Sequence, residues 1–170
     1  GGAELSLEMG HNLLLVDQRG HGKSQGKTIT FGILERHDCP TWINWALEQL
    51  GKDTQILLYG ISMGASTVLM ASGLDLPHQV KGIVADCPYN APMAIICNVS
   101  DGMRIPSKLV KPFLILGARL YGGFRLRETN AAQAVANSKL PILIIHGEAD
   151  TFVPCSMSEE IFAASVGNVR

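Results

Sequence analysis

The chain is short of charge. Only 17% of its 170 residues are Asp, Glu, Lys or Arg, against roughly 25% in ordinary soluble domains. With 46% apolar residues and a mean hydropathy of +0.18, the composition excludes a disordered chain and implies a heavily buried architecture, such as a sheet covered on both faces. An excess of either sign is also missing: 14 Lys and Arg face 15 Asp and Glu, for a net charge of -1. Overall charge therefore supplies no footprint for nucleic acid or acidic membrane. No run approaches the roughly 18 apolar residues that span a bilayer, and the nearly uncharged stretch 109–116 is broken by Lys111. Residues 1–10 lack the cationic start and apolar core of a signal peptide, which leaves any upstream signal or anchor open. Cys39, Cys87, Cys97 and Cys155 show no CxxC or Cys/His metal spacing. The expectation is four reduced thiols in a cytoplasmic protein. There is no internal repeat, linker or low-complexity tract, so residues 1–170 read as one domain.

What is present is alternation. Residues 12–16, 55–59, 82–85 and 142–145 are near-continuous apolar runs of strand length, the pattern of parallel strands buried on both faces. Four such strands are expected. Between the first two, Trp42/Ala46 and Ile43/Leu47/Leu50 recur at helical spacing over 38–50, with Asp38 as expected N-cap and Gly51 as the stop. A second helix is expected over 63–73, where Gly64, Ala65, Ser66 and Ala71 let it lie close on the sheet. The connection 87–141 is long enough to be an insertion over one end of the sheet. It holds an apolar segment, 109–121, that reads as a lid or else as a buried helix, and an Ala-rich helix over 130–137 with Thr129 as expected cap. Ser156 with Glu159 has capping-box spacing for a last helix stopping near Gly167.

The sharpest chemical signal is Gly60-Ile61-Ser62-Met63-Gly64, placed directly after a strand and before a helix. GxSxG in that context lifts a serine hydroxyl above the sheet on a tight turn. The glycines are expected where a side chain would collide with neighbouring strand or helix, and Ser62 is expected to be backbone-strained. The Met63 N–H, at the helix start, would face a developing oxyanion. A serine needs a base, and the base needs an acid. Asp150, in His146-Gly147-Glu148-Ala149-Asp150 after the last strand, lies on the same rim as Ser62, where ligands of open α/β sheets bind. Asp86, also at a strand end, is the alternative acid.

Together with Asp17-Gln18-Arg19-Gly20-His21-Gly22-Lys23-Ser24, these segments resemble the α/β-hydrolase superfamily, from its fourth strand to the helix after its seventh. Glu35-Arg36-His37-Asp38, Trp42-Ile43-Asn44-Trp45 and Asp86-Cys87-Pro88-Tyr89 are similar to its serine aminopeptidase-like branch. The resemblance implies a three-layer α/β sandwich with a mostly parallel central sheet and a short helical lid, 87–141. It implies Ser62 as nucleophile, the Met63 N–H as half of the oxyanion hole and Asp150 as acid. In the family the histidine follows the acid, whereas His11, His21, His37, His78 and His146 all precede Asp150. The base is therefore expected beyond Arg170, and the second oxyanion donor before Gly1, so the fold within residues 1–170 is expected to be incomplete. His21 and His146 are the candidates for a substitute base within the chain.

One competing motif is Gly22-Lys23-Ser24 after an apolar run, the tail of a phosphate-binding loop. The loop needs a glycine where Asp17 stands and a helix at once afterwards. Nucleotide binding is therefore not expected. The reading is a serine hydrolase acting on a small-molecule ester, thioester or small peptide bond through an acyl-enzyme. It calls for no metal, no cofactor and no nucleic acid, and it leaves oligomeric state unread. The alternative is a non-catalytic small-molecule binding module on the same fold.

Overall fold

Three of the four apolar runs become strands. In the computed structural model, which describes residues 2–165 and 167–169, the order is α1 (Gly2–Glu8), a 3-10 turn (Glu35–His37) leading into α2 (Asp38–Leu50), β1 (Ile56–Ile61), α3 (Met63–Ala71), β2 (Val80–Asp86), α4 (Pro92–Gly102), α5 (Ser107–Leu120), α6 (Ala131–Asn137), β3 (Ile142–Ile145) and α7 (Cys155–Ala163). The strands form one parallel sheet in the order β1-β2-β3. The class is α/β, a parallel sheet with flanking helices. Asp86 is paired with Ile61 on one side and Ile145 on the other. The carboxyl ends of all three strands thus stop in line, and the residues that follow share one rim.

Alternation sorts the strand residues by face. Leu58, Ile83, Ala85, Ile142 and Ile144 point into a core shared with Ala65 and Leu69 of α3, Val135 of α6 and Ile161 of α7. Burying Leu69, Ile83 or Ile161 stabilises the fold by about 1.5–3 kcal/mol each. Leu57, Tyr59, Ile61, Leu143 and Ile145 point the other way and are exposed. Within the described residues the sheet is therefore covered on one face. α3 can press closely on it because Ala65 and Ser66 are small. The Ser66 Oγ accepts from the Tyr89 N–H at 2.9 Å and donates to the Tyr89 carbonyl at 3.0 Å, tying α3 to the chain leaving β2.

The expected strand over 12–16 is not formed. Leu13, Leu14, Leu15 and Val16 are all exposed, and among the described residues no strand lies beside them to take up their backbone groups. An apolar run records a tendency to be buried, but a strand requires a neighbour. Other differences are local. Asp38 does not cap α2, because the 3-10 turn runs straight into the helix; its carboxylate instead accepts two bonds from the Arg19 guanidinium, at 2.7 and 2.5 Å. Asn130 rather than Thr129 caps α6, its Oδ1 accepting from the Gln133 N–H at 2.7 Å. Pro154 takes the N-cap position of α7 and Cys155 is already helical, so Ser156 lies inside the helix and the expected capping box is not made. α2 has the expected bounds, and Gly51 ends it with a φ of 103°, its N–H donating to the Leu47 carbonyl. α5 buries no residue, which removes the buried-helix reading of 109–121.

Candidate active site

Ser62 stands between β1 and α3 with φ 52° and ψ −113°. An L-residue held there costs on the order of 1–3 kcal/mol, and the surroundings hold it firmly. The Ser62 N–H donates to the Asp86 carbonyl at 2.8 Å, extending the β1–β2 ladder by one residue, and its carbonyl accepts from the Ser66 N–H at 3.0 Å, beginning α3. Met63 is the first helical residue, and N–H groups in the first turn of a helix have no acceptor within it. The Met63 side chain packs on a cluster of Tyr89, Ile95, Val153 and Met157, which brings α4 and the segment after β3 against the turn.

The two glycines of the motif are not equivalent. A Cβ on Gly60 would lie 2.4 Å from the Gly64 carbonyl group and 2.5 Å from the Ala65 nitrogen, so Gly60 is required by a backbone crossing. A Cβ on Gly64 would meet only the Gln18 Nε2, at 3.8 Å. The expected collision at Gly64 is therefore absent, because its α-hydrogen side opens towards the 17–24 loop rather than the sheet.

Asp150 lies in the turn after β3. Its Oδ1 accepts from the N–H groups of Phe152 and Val153, both at 2.9 Å, and these bonds, that of Val153 foremost, hold the carboxyl below the usual aspartate range. The second oxygen lies 3.8 Å from the His146 Nε2. Asp86 is engaged by the Tyr59 hydroxyl at 3.4 Å, and desolvation, followed by the Asp86 charge, pushes the Tyr59 phenol up.

His146 is fully engaged as a structural brace. Its Nδ1 is 2.6 Å from the Ser158 Oγ and its Nε2 is 2.8 Å from the Val153 carbonyl, which fastens the Asp150 turn to α7. With both ring nitrogens bonded inside the fold, His146 has no free nitrogen with which to act as a base. The His21 Nδ1 lies 3.1 Å from the Arg19 carbonyl. Its loop is closed by Asp17, whose carboxylate accepts from the Lys23 N–H and whose carbonyl accepts from the Ser24 hydroxyl. No helix follows Ser24, as a phosphate-binding loop would require.

Cys87, expected only as a reduced thiol, adjoins the site. It follows β2 with φ 45°, and its N–H donates to the Ile145 carbonyl at 2.8 Å. Its thiol is pushed up, first by burial and then by the charges of Asp86 and Asp150, while the Ser62 backbone pulls in the opposite direction. Cys87 thus follows directly on Asp86 at the rim where β2 and β3 end. Pro88 after it signals a break in the strand but not the sign of φ. Among the described residues, no group of three or more His, Cys, Asp or Glu is placed to hold a metal ion.

The family model of the alpha/beta hydrolase fold matches residues 3–108. The chain is 29% identical over 164 residues to the uncharacterized protein YqkD of Bacillus subtilis, covering 96% of this chain and 54% of that one. It is 26% identical over 159 residues to the uncharacterized protein YfhR of Escherichia coli K12, covering 92% and 49%. It spans about half the length of these relatives. Among solved structures it resembles the Pyrococcus furiosus esterase Pf2001, with a TM-score of 0.74 and 27% identity, over 99% of this chain and 62% of that one. The strand–Ser62–helix turn, the aligned strand ends and the match over residues 3–108 together place this chain in the α/β-hydrolase fold family.

Proposed function

We propose that this protein is a serine hydrolase that cleaves an ester, thioester or small peptide bond through an acyl-enzyme. The observation that carries the reading is the strained backbone of Ser62 at the strand-to-helix turn, on the rim that also bears Asp150. The Ser62 Oγ attacks the substrate carbonyl carbon while its proton passes to a histidine supplied from outside residues 1–170. The resulting oxyanion is stabilised by the Met63 N–H. Collapse expels the leaving alkoxide, thiolate or amine, which takes the proton back from the histidine, and water then repeats the sequence to free the acid and restore Ser62.

Asp150 is favoured over Asp86 as the group that orients the histidine. An orienting carboxylate must stay ionised with one oxygen free. The two N–H bonds to Oδ1 keep Asp150 ionised and leave Oδ2 available, whereas Asp86 already faces Tyr59 and the Cys87 thiol. Residues 87–141 act as a cap beside the site. They border Met63 through Ile95, and the Asn98 Nδ2 donates to the Phe152 carbonyl at 3.1 Å. The resemblance to an esterase over nearly the whole chain supports the same reaction class. A fluorophosphonate probe tests the proposal: the full-length protein should be labelled and Ser62→Ala should not. Labelling that survives Ser62→Ala refutes it.

A further inference from the structure

α5 has a face that the fold leaves open. At 100° per residue, Leu109, Phe113, Leu116 and Leu120 fall within about 60° of one another, and they are 68%, 75%, 54% and 67% exposed. Leu114 and Ala118, on the opposite side, pack on the cluster of Ile33, Met93, Phe124 and Leu126. The helix is therefore anchored by its inner side with its most apolar stripe in solvent. Met103 and Ile105, in the turn that precedes α5, are 68% and 50% exposed.

The charges around this stripe are of one sign. Residues 102–127 contain Arg104, Lys108, Lys111, Arg119, Arg125 and Arg127 and no Asp or Glu. That is six of the 14 cations of a chain whose net charge is -1, so the balanced total conceals a strongly basic segment. Among the described residues none of the six forms an ion pair. Asp101, the acid just before the segment, feels the charge of Lys108, but its carboxylate is committed to the Ser107 N–H at 2.8 Å, at the start of α5. Arg119, Arg125 and Arg127 line one shallow pocket with Ile115 and Leu126. No carboxylate-bearing residue lines that pocket, and arginine is the side chain best suited to phosphate oxygens.

We infer that residues 103–127 form a docking surface for an anionic phospholipid bilayer, with the Leu109–Phe113–Leu116–Leu120 stripe entering the headgroup–acyl boundary and Arg119, Arg125 and Arg127 binding headgroup phosphates. A large apolar stripe beside unpaired cations is the pattern of a helix that lies in a membrane interface rather than across it. A second copy of this chain would bring six cations against six. An anionic bilayer meets both the apolar and the charged demand on one surface. No described helix is long and apolar enough to cross a membrane.

The test is sedimentation of the full-length protein with vesicles of phosphatidylcholine alone and of phosphatidylcholine with phosphatidylglycerol, at low and high salt. Ser62→Ala is used throughout, so the readout does not depend on hydrolysis. Binding should require phosphatidylglycerol and weaken with salt. Phe113→Asp with Leu116→Asp should abolish it, and Lys108→Glu with Arg119→Glu should weaken it by more than roughly tenfold. Far-UV circular dichroism checks that both variants stay folded, and the salt dependence of the parent protein needs no variant. The inference is overturned by failure to bind anionic vesicles or by equal binding to neutral ones. It is likewise overturned by binding that the substitutions leave unchanged, or by a dimer in solution that Phe113→Asp with Leu116→Asp dissociates while vesicle binding is absent.

Discussion

Replacing each glycine of the serine turn by alanine separates two effects that the motif presents as one. In Gly60→Ala the new Cβ would stand 2.4 Å from the Gly64 carbonyl group and 2.5 Å from the Ala65 nitrogen. All of these are backbone atoms, so relief requires moving the start of α3 away from β1 by roughly 1 Å, a shift of the size that core overpacking forces at a cost of about 1–3 kcal/mol. At roughly 2–4 °C per kcal/mol for a domain of this size, the melting temperature should fall by about 2–12 °C. The same shift carries Ser62 and the Met63 N–H, so probe labelling should slow by roughly 100-fold for a displacement near 1 Å. Gly64→Ala adds a methyl that meets only the Gln18 Nε2, at 3.8 Å, in the first turn of a helix where alanine is favoured over glycine by about 0.5–1 kcal/mol. It should leave stability unchanged or slightly raised. Differential scanning calorimetry with parallel labelling decides. Equal damage from both substitutions, or harmless Gly60→Ala, would refute the account of the turn.

Further outcomes follow from the site and its supports. Asp150→Asn should lower kcat roughly 10³–10⁴-fold while Asp86→Asn stays within about tenfold of the parent, as read by esterase kinetics on the full-length protein; the reverse order would make Asp86 the acid. Because the Asp150 carboxyl is held low, its bonds to the Phe152 and Val153 N–H groups persist above the ordinary aspartate range, about pH 4, and are lost as pH falls through the depressed value. The protection of the 152 and 153 amides, measured against their intrinsic exchange rates, should fall in that acid window. The buried Glu35 carboxylate accepts from the Thr30 N–H at 2.7 Å, the Gly32 N–H at 2.9 Å and the Thr30 hydroxyl. Glu35→Ala leaves these donors unpaired and should cost about 3 kcal/mol or more, visible in denaturant unfolding. Burial pushes the Cys39 thiol up to about 12. Iodoacetamide near pH 8.5 should therefore spare Cys39 in the folded protein and modify it after unfolding, as peptide mass spectrometry would show.

Much of the fold was legible because its signals are local. The 38–50 helix is written in the spacing of Ile43, Leu47 and Leu50, and the Ser62 turn in glycines and a serine bracketed by a strand and a helix. The 12–16 run failed as a strand because pairing depends on a neighbour that local pattern does not encode. Ser156 and Glu159 have the right spacing for a capping box, but Pro154 starts the helix earlier and removes the vacancy they would fill. The difference between Gly60 and Gly64 depends on which side of the turn a backbone crosses, and the sequence treats the two alike. The left-handed backbone of Cys87 was illegible for a related reason: it is set where three strand ends align. Net charge, an average over the chain, likewise hid the basic run around α5.

The central claim is that Ser62 carries the acyl group. The most direct measurement is acid quench of the full-length protein during turnover of an activated ester, followed by peptide mass spectrometry. The account predicts an acyl mass increment confined to the peptide bearing Ser62 and absent in Ser62→Ala. An adduct on Cys87 or elsewhere that persists in Ser62→Ala would contradict it.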